Sequence, residues 1–130
     1  MFVIDMNPIL SDIAKLQKRA SKRREEGVFV VEGIREFREI PADRLTISVF
    51  SETFAKSNES LVSETRAMKH VKTFVVKDDD FAKISDTKTP QGVLGVVRMF
   101  FYDETEIFSE KNGLYVLLEN LQDPGNLGTI

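Results

Sequence analysis

Between residues 9 and 101, short apolar runs alternate with amphipathic stretches. Ile9, Ile13, Leu16 and Ala20 recur at helical spacing behind Asn7-Pro8, an N-cap residue followed by a proline suited to the first helical position. The spacing predicts a helix there, stopped by Gly27 in a left-handed cap. Val28-Phe29-Val30-Val31 reads as a buried strand ending at Glu32-Gly33. Ile34, Phe37 and Ile40 then predict a short amphipathic helix closed by Pro41. Further strands are expected over 45–50, 72–76 and 93–97, the last extending towards Phe101. The polar stretch 51–70 predicts one helix around 61–68, and Asp80 is placed to cap a short helix through Ile84. Strands alternating with helices imply an α/β layered domain with a mostly parallel sheet. The ten Phe residues are expected in its core, with Phe100-Phe101-Tyr102 open to base stacking as well.

Residues 103–112 are charged and carry few structural signals, as a linker would. Leu114-Tyr115-Val116-Leu117-Leu118 then reads as a strand buried on both faces, running into the turn chemistry of Asp123-Pro124-Gly125-Asn126. The expected division is therefore a domain over 1–105, with a linker and the opening of a second domain over 106–130.

Composition narrows the function classes. At 130 residues and 42% hydrophobic the chain holds enough apolar surface for a folded core. No apolar run approaches the ~20 residues of a membrane helix, and residues 1–5 lack the basic-then-apolar pattern of a secretory signal. The absence of cysteine excludes disulfides and thiolate metal sites within these residues and fits a cytoplasmic location. A net charge of −3 argues against nucleic acid as a partner. The charge is segregated, however: Lys15, Lys18, Arg19, Lys22, Arg23 and Arg24 crowd into ten residues with no acid among them.

On one helix, Lys15, Lys18, Arg19 and Lys22 would share a face, at spacings of three, four and seven residues. Such a stripe either follows a phosphate backbone or is an ordinary solvated face, and Arg23 and Arg24 would extend it. Glu32-Gly33 is either a structural strand-to-helix turn or part of a binding surface. Thr89-Pro90-Gln91-Gly92, behind Thr87-Lys88, is a polar loop able to read unpaired bases or 2′-hydroxyls, or a plain turn. Asp78-Asp79-Asp80 cannot converge on one ion without a special loop, so capping and solvation account for it and no metal is expected. His70 stands in no recognised catalytic pattern.

Asp123-Pro124-Gly125-Asn126-Leu127-Gly128-Thr129-Ile130 resembles the first signature motif of the SpoU/TrmH-type RNA 2′-O-ribose methyltransferases of the knotted SPOUT superfamily. In that family the motif follows the first strand of the catalytic domain. The basic segment Arg23-Arg24-Glu25-Glu26, the Phe29–Gly33 strand end and the Thr89–Gly92 turn are similar, in order, to the family's amino-terminal substrate-binding domain. The resemblance thus spans nearly the whole chain. It implies a three-layer α/β/α sandwich like that of certain ribosomal proteins and kink-turn RNA binders, followed by the first strand of a knotted methyltransferase domain. It also implies an RNA partner, with ribosomal RNA ahead of transfer RNA, and methyl transfer from S-adenosylmethionine by a full-length homodimer. Asn126 would shape the loop near the target ribose, while Asp123, Pro124, Gly125 and Gly128 build the loop and its glycines give room for substrate or cofactor. The arginine that activates the 2′-hydroxyl would fall just beyond Ile130, and the cofactor-binding segments later still. The 130 residues alone are expected neither to bind the cofactor nor to transfer methyl. Two rival readings use the same residues: a free-standing, non-enzymatic RNA-binding module, and a protein-interaction domain whose basic stripe meets an acidic partner.

Overall fold

The computed structural model describes residues 7–130. Residues 1–5, on which the absence of a signal was read, lie outside these, as does the Asn7 side chain expected to cap the first helix. The chain divides into two units, one through Met99 and one from Phe100 to Ile130.

In the first unit the elements run α1 (Asn7–Lys18), α2 (Ala20–Glu26), β1 (Val28–Glu32), α3 (Ile34–Arg38), β2 (Leu45–Ser51), α4 (Glu52–Ser57), α5 (Glu59–Ala67), β3 (Lys72–Val76), α6 (Asp78–Ile84) and β4 (Val93–Arg98). Gly27 ends α2 at φ 64°, ψ 34°, the left-handed cap that the sequence predicts. Residues 51–67 hold two helices rather than one. The extra helix, α4, starts where the buried Ser51 hydroxyl accepts a hydrogen bond from the Phe54 backbone N–H at 3.2 Å.

The four strands lie in the order β1-β4-β2-β3. Only β2 and β3 are parallel; β4 is antiparallel to both β1 and β2. The expectation of a mostly parallel sheet is therefore wrong, and the reason is the length of α6. A parallel crossover must carry the chain back along the strands, but seven helical residues rise only about 10 Å. Instead α6 leads from the carboxyl end of β3 to Ser85, which bonds Glu32 at the carboxyl end of β1. The chain then enters β4 from that same end. β4 itself stops at Arg98, short of Phe101, after one further bond from the Met99 N–H to the Gly27 carbonyl.

Strand alternation divides the apolar residues between two faces. Val49, Val76, Leu94 and Val96 pack with Ile13 and Leu16 of α1 and Phe81 and Ile84 of α6. Phe50 and Val93 pack with Phe37 of α3 and Val62 of α5. Helices thus cover both faces of the sheet. Leu45 and Ile47, two residues apart, belong to opposite clusters because the register shifts between them against β4. That bulge reverses the alternation, and the Thr46 hydroxyl donates to the Val96 carbonyl at 2.9 Å.

The second unit contains α7 (Glu104–Ile107) and α8 (Pro124–Thr129). The strand expected over 114–118 does not form; these residues join no ladder, and Leu114 and Leu117 are 94% and 91% exposed. A strand apolar on both faces requires paired neighbours and cover on each side, and no other described residue of this unit is a strand. Among the described residues, no helix is long and apolar enough to cross a membrane.

Candidate nucleic-acid interface

Because β4 runs against its neighbours, the carboxyl ends of β1, β2 and β3 share one sheet edge with the 85–92 loop. The Gly33 N–H donates to the Val93 carbonyl at 3.1 Å, and the Ser51 N–H donates to the Gly92 carbonyl at 2.8 Å. Glu32-Gly33 and Thr89–Gly92, far apart in sequence, are thereby brought together.

Glu32 organises this edge. Its Oε1 accepts from the hydroxyls of Ser85 and Thr87, and its Oε2 accepts from the Asp86 N–H at 3.1 Å and from Gln17 Nε2 at 3.3 Å. One carboxylate thus ties α1 and the loop to the end of β1. In Glu32→Gln an amide NH2 would have to face either those N–H donors or the two hydroxyls. The expected loss is about 1–2 kcal/mol of stability, with faster hydrogen exchange at the Asp86 and Thr87 amides.

Gln91 is also engaged. Its Oε1 accepts the Ile34 N–H at 3.0 Å, satisfying one of the open donors at the start of α3. Gly33 sits at φ 105°, and a Cβ there would lie 2.8 Å from Glu36 Oε2. Thr89 and Pro90 are exposed beside it.

The basic segment departs from the single stripe that the sequence predicts. Arg19 has extended backbone, φ −121° and ψ 106°, and splits the expected helix into α1 and α2. Lys15 and Lys18 therefore do not share a helical face with Lys22. The Arg23 guanidinium donates to the carbonyls of Leu16 and Gln17, at 2.6 and 3.0 Å, closing the end of α1. Lys22 pairs with Glu26 at 2.9 Å and Asp12 at 3.5 Å, so its ammonium is held above its usual pKa, first by the bond to Glu26. Lys15 also reaches Asp12, at 3.7 Å. Arg24 Nε donates to the Ala20 carbonyl at 3.5 Å. Among the described residues Lys18, Arg19 and Arg24 make no ion pair. Lys18 and Arg19 directly follow Gln17, whose bond to Glu32 fixes that turn beside the loop edge. The charge balance fits this arrangement: residues 1–99 carry seventeen basic and fifteen acidic side chains, residues 100–130 one and six.

A cleft of about 460 Å3 opens on the same edge, between α4, α6 and the 90–92 turn. Sequence reasoning missed it, since it depends on α4; the signal available was Ser51 as an N-cap. Asp78 closes one side, accepting the Thr53 hydroxyl and, at 3.1 Å, the Thr53 N–H. Those bonds, the hydroxyl first, hold its carboxyl below the ordinary carboxylate value. Stability from this depression is fully present above the unfolded pKa and is lost as pH falls through the folded one. Asp78→Asn is therefore expected to melt at a lower temperature at pH 7, with the gap to wild type closing below about pH 4. Thermal unfolding across pH 2–8 checks this. Asp80, expected as a cap, lies within the first turn of α6 and pairs with Lys83 at 2.7 Å. Among the described residues no three of His, Cys, Asp and Glu are grouped to hold a metal ion. His70 Nε2 is exposed and bonds the Ala42 carbonyl oxygen at 2.8 Å.

In the second unit, Asp123 caps α8, accepting the Gly125 N–H at 2.8 Å, with Pro124 at the helix start. The motif therefore begins a helix rather than ending in a turn. Asn126 lies exposed in its first turn. A Cβ on Gly128 would meet no atom within 4 Å. Leu117 and Leu127 are exposed as well.

Residues 7–95, which include every element of this edge, match the family model described as the MRM3-like substrate binding domain. The chain belongs to that family. It is 33% identical over 129 residues to "rRNA methyltransferase 3, mitochondrial" of Mus musculus and 31% to the Homo sapiens protein of the same name, covering 93% of this chain in each case. It is 28% identical to a Synechocystis protein named as an uncharacterized tRNA/rRNA methyltransferase. The chain spans 29% of the length of the two mammalian relatives and 44% of the cyanobacterial one. Two relatives being named mitochondrial, the comparisons lend no support to the cytoplasmic location expected from composition. Among solved structures, a putative TrmH-family RNA methyltransferase of Porphyromonas gingivalis is similar over 99% of this chain and 47% of its own, with TM-score 0.60 and 18% identity. The SpoU methyltransferase AviRb of Streptomyces viridochromogenes, with bound AdoMet, aligns over 76% of this chain and 38% of its own, at TM-score 0.59 and 19% identity. At those identities the likeness is one of fold.

Proposed function

We propose that this chain is the amino-terminal, RNA-docking part of an S-adenosylmethionine-dependent RNA 2′-O-ribose methyltransferase acting on ribosomal RNA. The observation that carries the reading is the match of residues 7–95 to a substrate-binding domain family whose relatives bear the rRNA methyltransferase name. On this reading the two-faced α/β unit is the ribosomal-protein-type sandwich of RNA binders. Lys18, Arg19 and Arg24, which make no ion pair among the described residues, contact phosphates. Lys15 and Lys22 add charge only by exchanging carboxylate partners. Arg23, Glu32, Gly33, Gln91 and Gly92 build the surface, and Thr89 and Pro90 present it to RNA.

Residues 106–130 open the catalytic domain, with 114–118 its first strand once paired. Asn126 and the Asp123–Gly128 loop then face the ribose, and the full-length enzyme acts as a homodimer. S-adenosylmethionine supplies the methyl group to the whole enzyme. A ribose hydroxyl is a weak nucleophile near neutral pH, so the RNA-docking unit contributes by position, holding the target in line for the transfer.

Two measurements test the reading. Calorimetry on the 130-residue chain is expected to give no stoichiometric S-adenosylmethionine binding; such binding would overturn the division of labour between the domains. Ribosomal RNA fragments are expected to bind with affinity that falls steeply as salt rises and to outcompete transfer RNA. Salt-independent binding, or none, would remove the RNA-docking role.

A further inference from the structure

β3 is an outer strand of the sheet. It pairs with β2 alone, in unbroken register from Lys72 to Val76. Among the described residues, the N–H and C=O groups on its other side take no further bond. We propose that this edge takes up an extended segment of a partner protein as a further, antiparallel strand, and that the segment carries one large apolar side chain followed by acidic residues. The inference stands apart from the RNA-docking reading given above.

Three observations support it. First, the edge lacks the usual safeguards. Outer strands are commonly blunted by a proline, a bulge or a charge within the strand. Thr73-Phe74-Val75-Val76 has none of these, and its charges, Lys72 and Lys77, stand only at the two ends.

Second, a cavity of about 540 Å3 adjoins this edge: Val75 of β3 lines it together with Ala55 of α4 and Val62 of α5. Strand addition draws affinity from the backbone and specificity from a pocket for an alternate side chain. A second copy of this chain, paired strand to strand, does not supply that side chain. On the α5 face of its own β3, Val75 packs in its own core and Thr73 accepts the Ser48 hydroxyl at 2.9 Å. The occupant is therefore a strand whose apolar side chain is free.

Third, charge is graded along the edge. At the start of β3, Arg66, Lys69 and Lys72 are exposed and make no ion pair among the described residues. At its end, Val76 pairs with Ser51, which leads straight into Glu52, and Glu52 and Glu59 line the cavity beside Lys56. Acidic residues of an incoming strand are held best at the basic end, and an antiparallel strand brings its carboxyl-terminal part there.

The test titrates the 130-residue chain with a labelled peptide, Lys-Thr-Phe-Thr-Glu-Glu, and with its reversed sequence. The forward peptide is expected to bind about tenfold more tightly. Ser63→Trp, at an exposed residue lining the cavity, should abolish binding, and Arg66→Glu with Lys72→Glu should weaken it about tenfold. A third measurement leaves the protein unaltered. N-methylating one alternate set of peptide amides should abolish binding and methylating the other set should leave it, as pairing along a single side requires. No forward binding up to about 1 mM, equal binding of the reversed peptide, or indifference to both methylated sets would each overturn the strand addition. Self-association of the chain that Ser63→Trp removes would make a second copy the occupant and overturn the separate partner. Lost affinity for ribosomal RNA in the charge-reversed variant, with no peptide bound, would assign those cations to RNA and overturn it as well.

Discussion

Replacing Gly92 with valine is expected to lower the unfolding free energy by about 3–5 kcal/mol, enough to unfold much of the population of a marginally stable domain. Two independent costs meet at this residue. Its φ of 91° lies where a β-branched side chain is a genuine outlier. A Cβ there would also stand 2.4 Å from Ser51 Oγ and 2.8 Å from Phe54 Cβ. Neither neighbour can move freely: the Ser51 hydroxyl caps α4, and the Ser51 N–H is bonded to the Gly92 carbonyl itself. The contrast is Gly128→Ala, where no atom lies within 4 Å of the new methyl and the change should be neutral or slightly stabilising. Urea unfolding read through its midpoint checks both, and a wild-type midpoint for Gly92→Val would show the turn to be far more forgiving than its contacts imply.

The second large effect is on binding. Lys18→Ala combined with Arg19→Ala is expected to weaken RNA affinity about ten- to a hundredfold at low salt. The slope of log affinity against log salt should become shallower by about 1.4–1.8, two phosphates' worth. Stability should hardly change, because among the described residues neither side chain makes an ion pair. Arg23→Ala should behave in the opposite way. It removes the guanidinium that closes the carbonyls of Leu16 and Gln17, so it costs stability, about 1–3 kcal/mol, and moves the salt slope little. Equal slope changes in the two variants would mean that the basic residues act as one undivided patch.

That division among six adjacent cations was not legible in the sequence. Helical periodicity runs unbroken from Ile9 to Ala20, and nothing in Lys18-Arg19-Ala20 announces a break; there is no proline or glycine. The break exists because Arg23 folds back onto the end of α1 and Gln17 reaches Glu32, contacts that need the finished fold. The sheet order was hidden for a similar reason. The strands at 28–32, 45–51, 72–76 and 93–98 are clear from their β-branched and aromatic runs, and Gly27 and Pro41 mark the ends of the helical segments before the first two. Strand direction, however, depends on how far α6 carries the chain, and only its length hints at that. The run at 114–118 has strand composition without a strand's neighbours, so pattern alone overstated it. Glu32-Gly33 and Thr89–Gly92 were recognisable as a pair of motifs, whereas their junction through Ser85, Asp86 and Thr87 was not.

The position of β4 between β1 and β2 also governs when this unit can be assembled on the ribosome. Until residues 93–98 have emerged, β1 has no partner strand, and the nascent chain can pair only β2 with β3. Two apolar helical layers, already synthesised, must wait for a six-residue segment that arrives last and bonds on both sides. Such late, long-range closure slows folding and leaves strand edges open in the meantime. Residues 1–92 should accordingly behave as a chaperone client rather than a smaller domain, and residues beyond Arg98 do double duty by carrying that last strand clear of the exit tunnel.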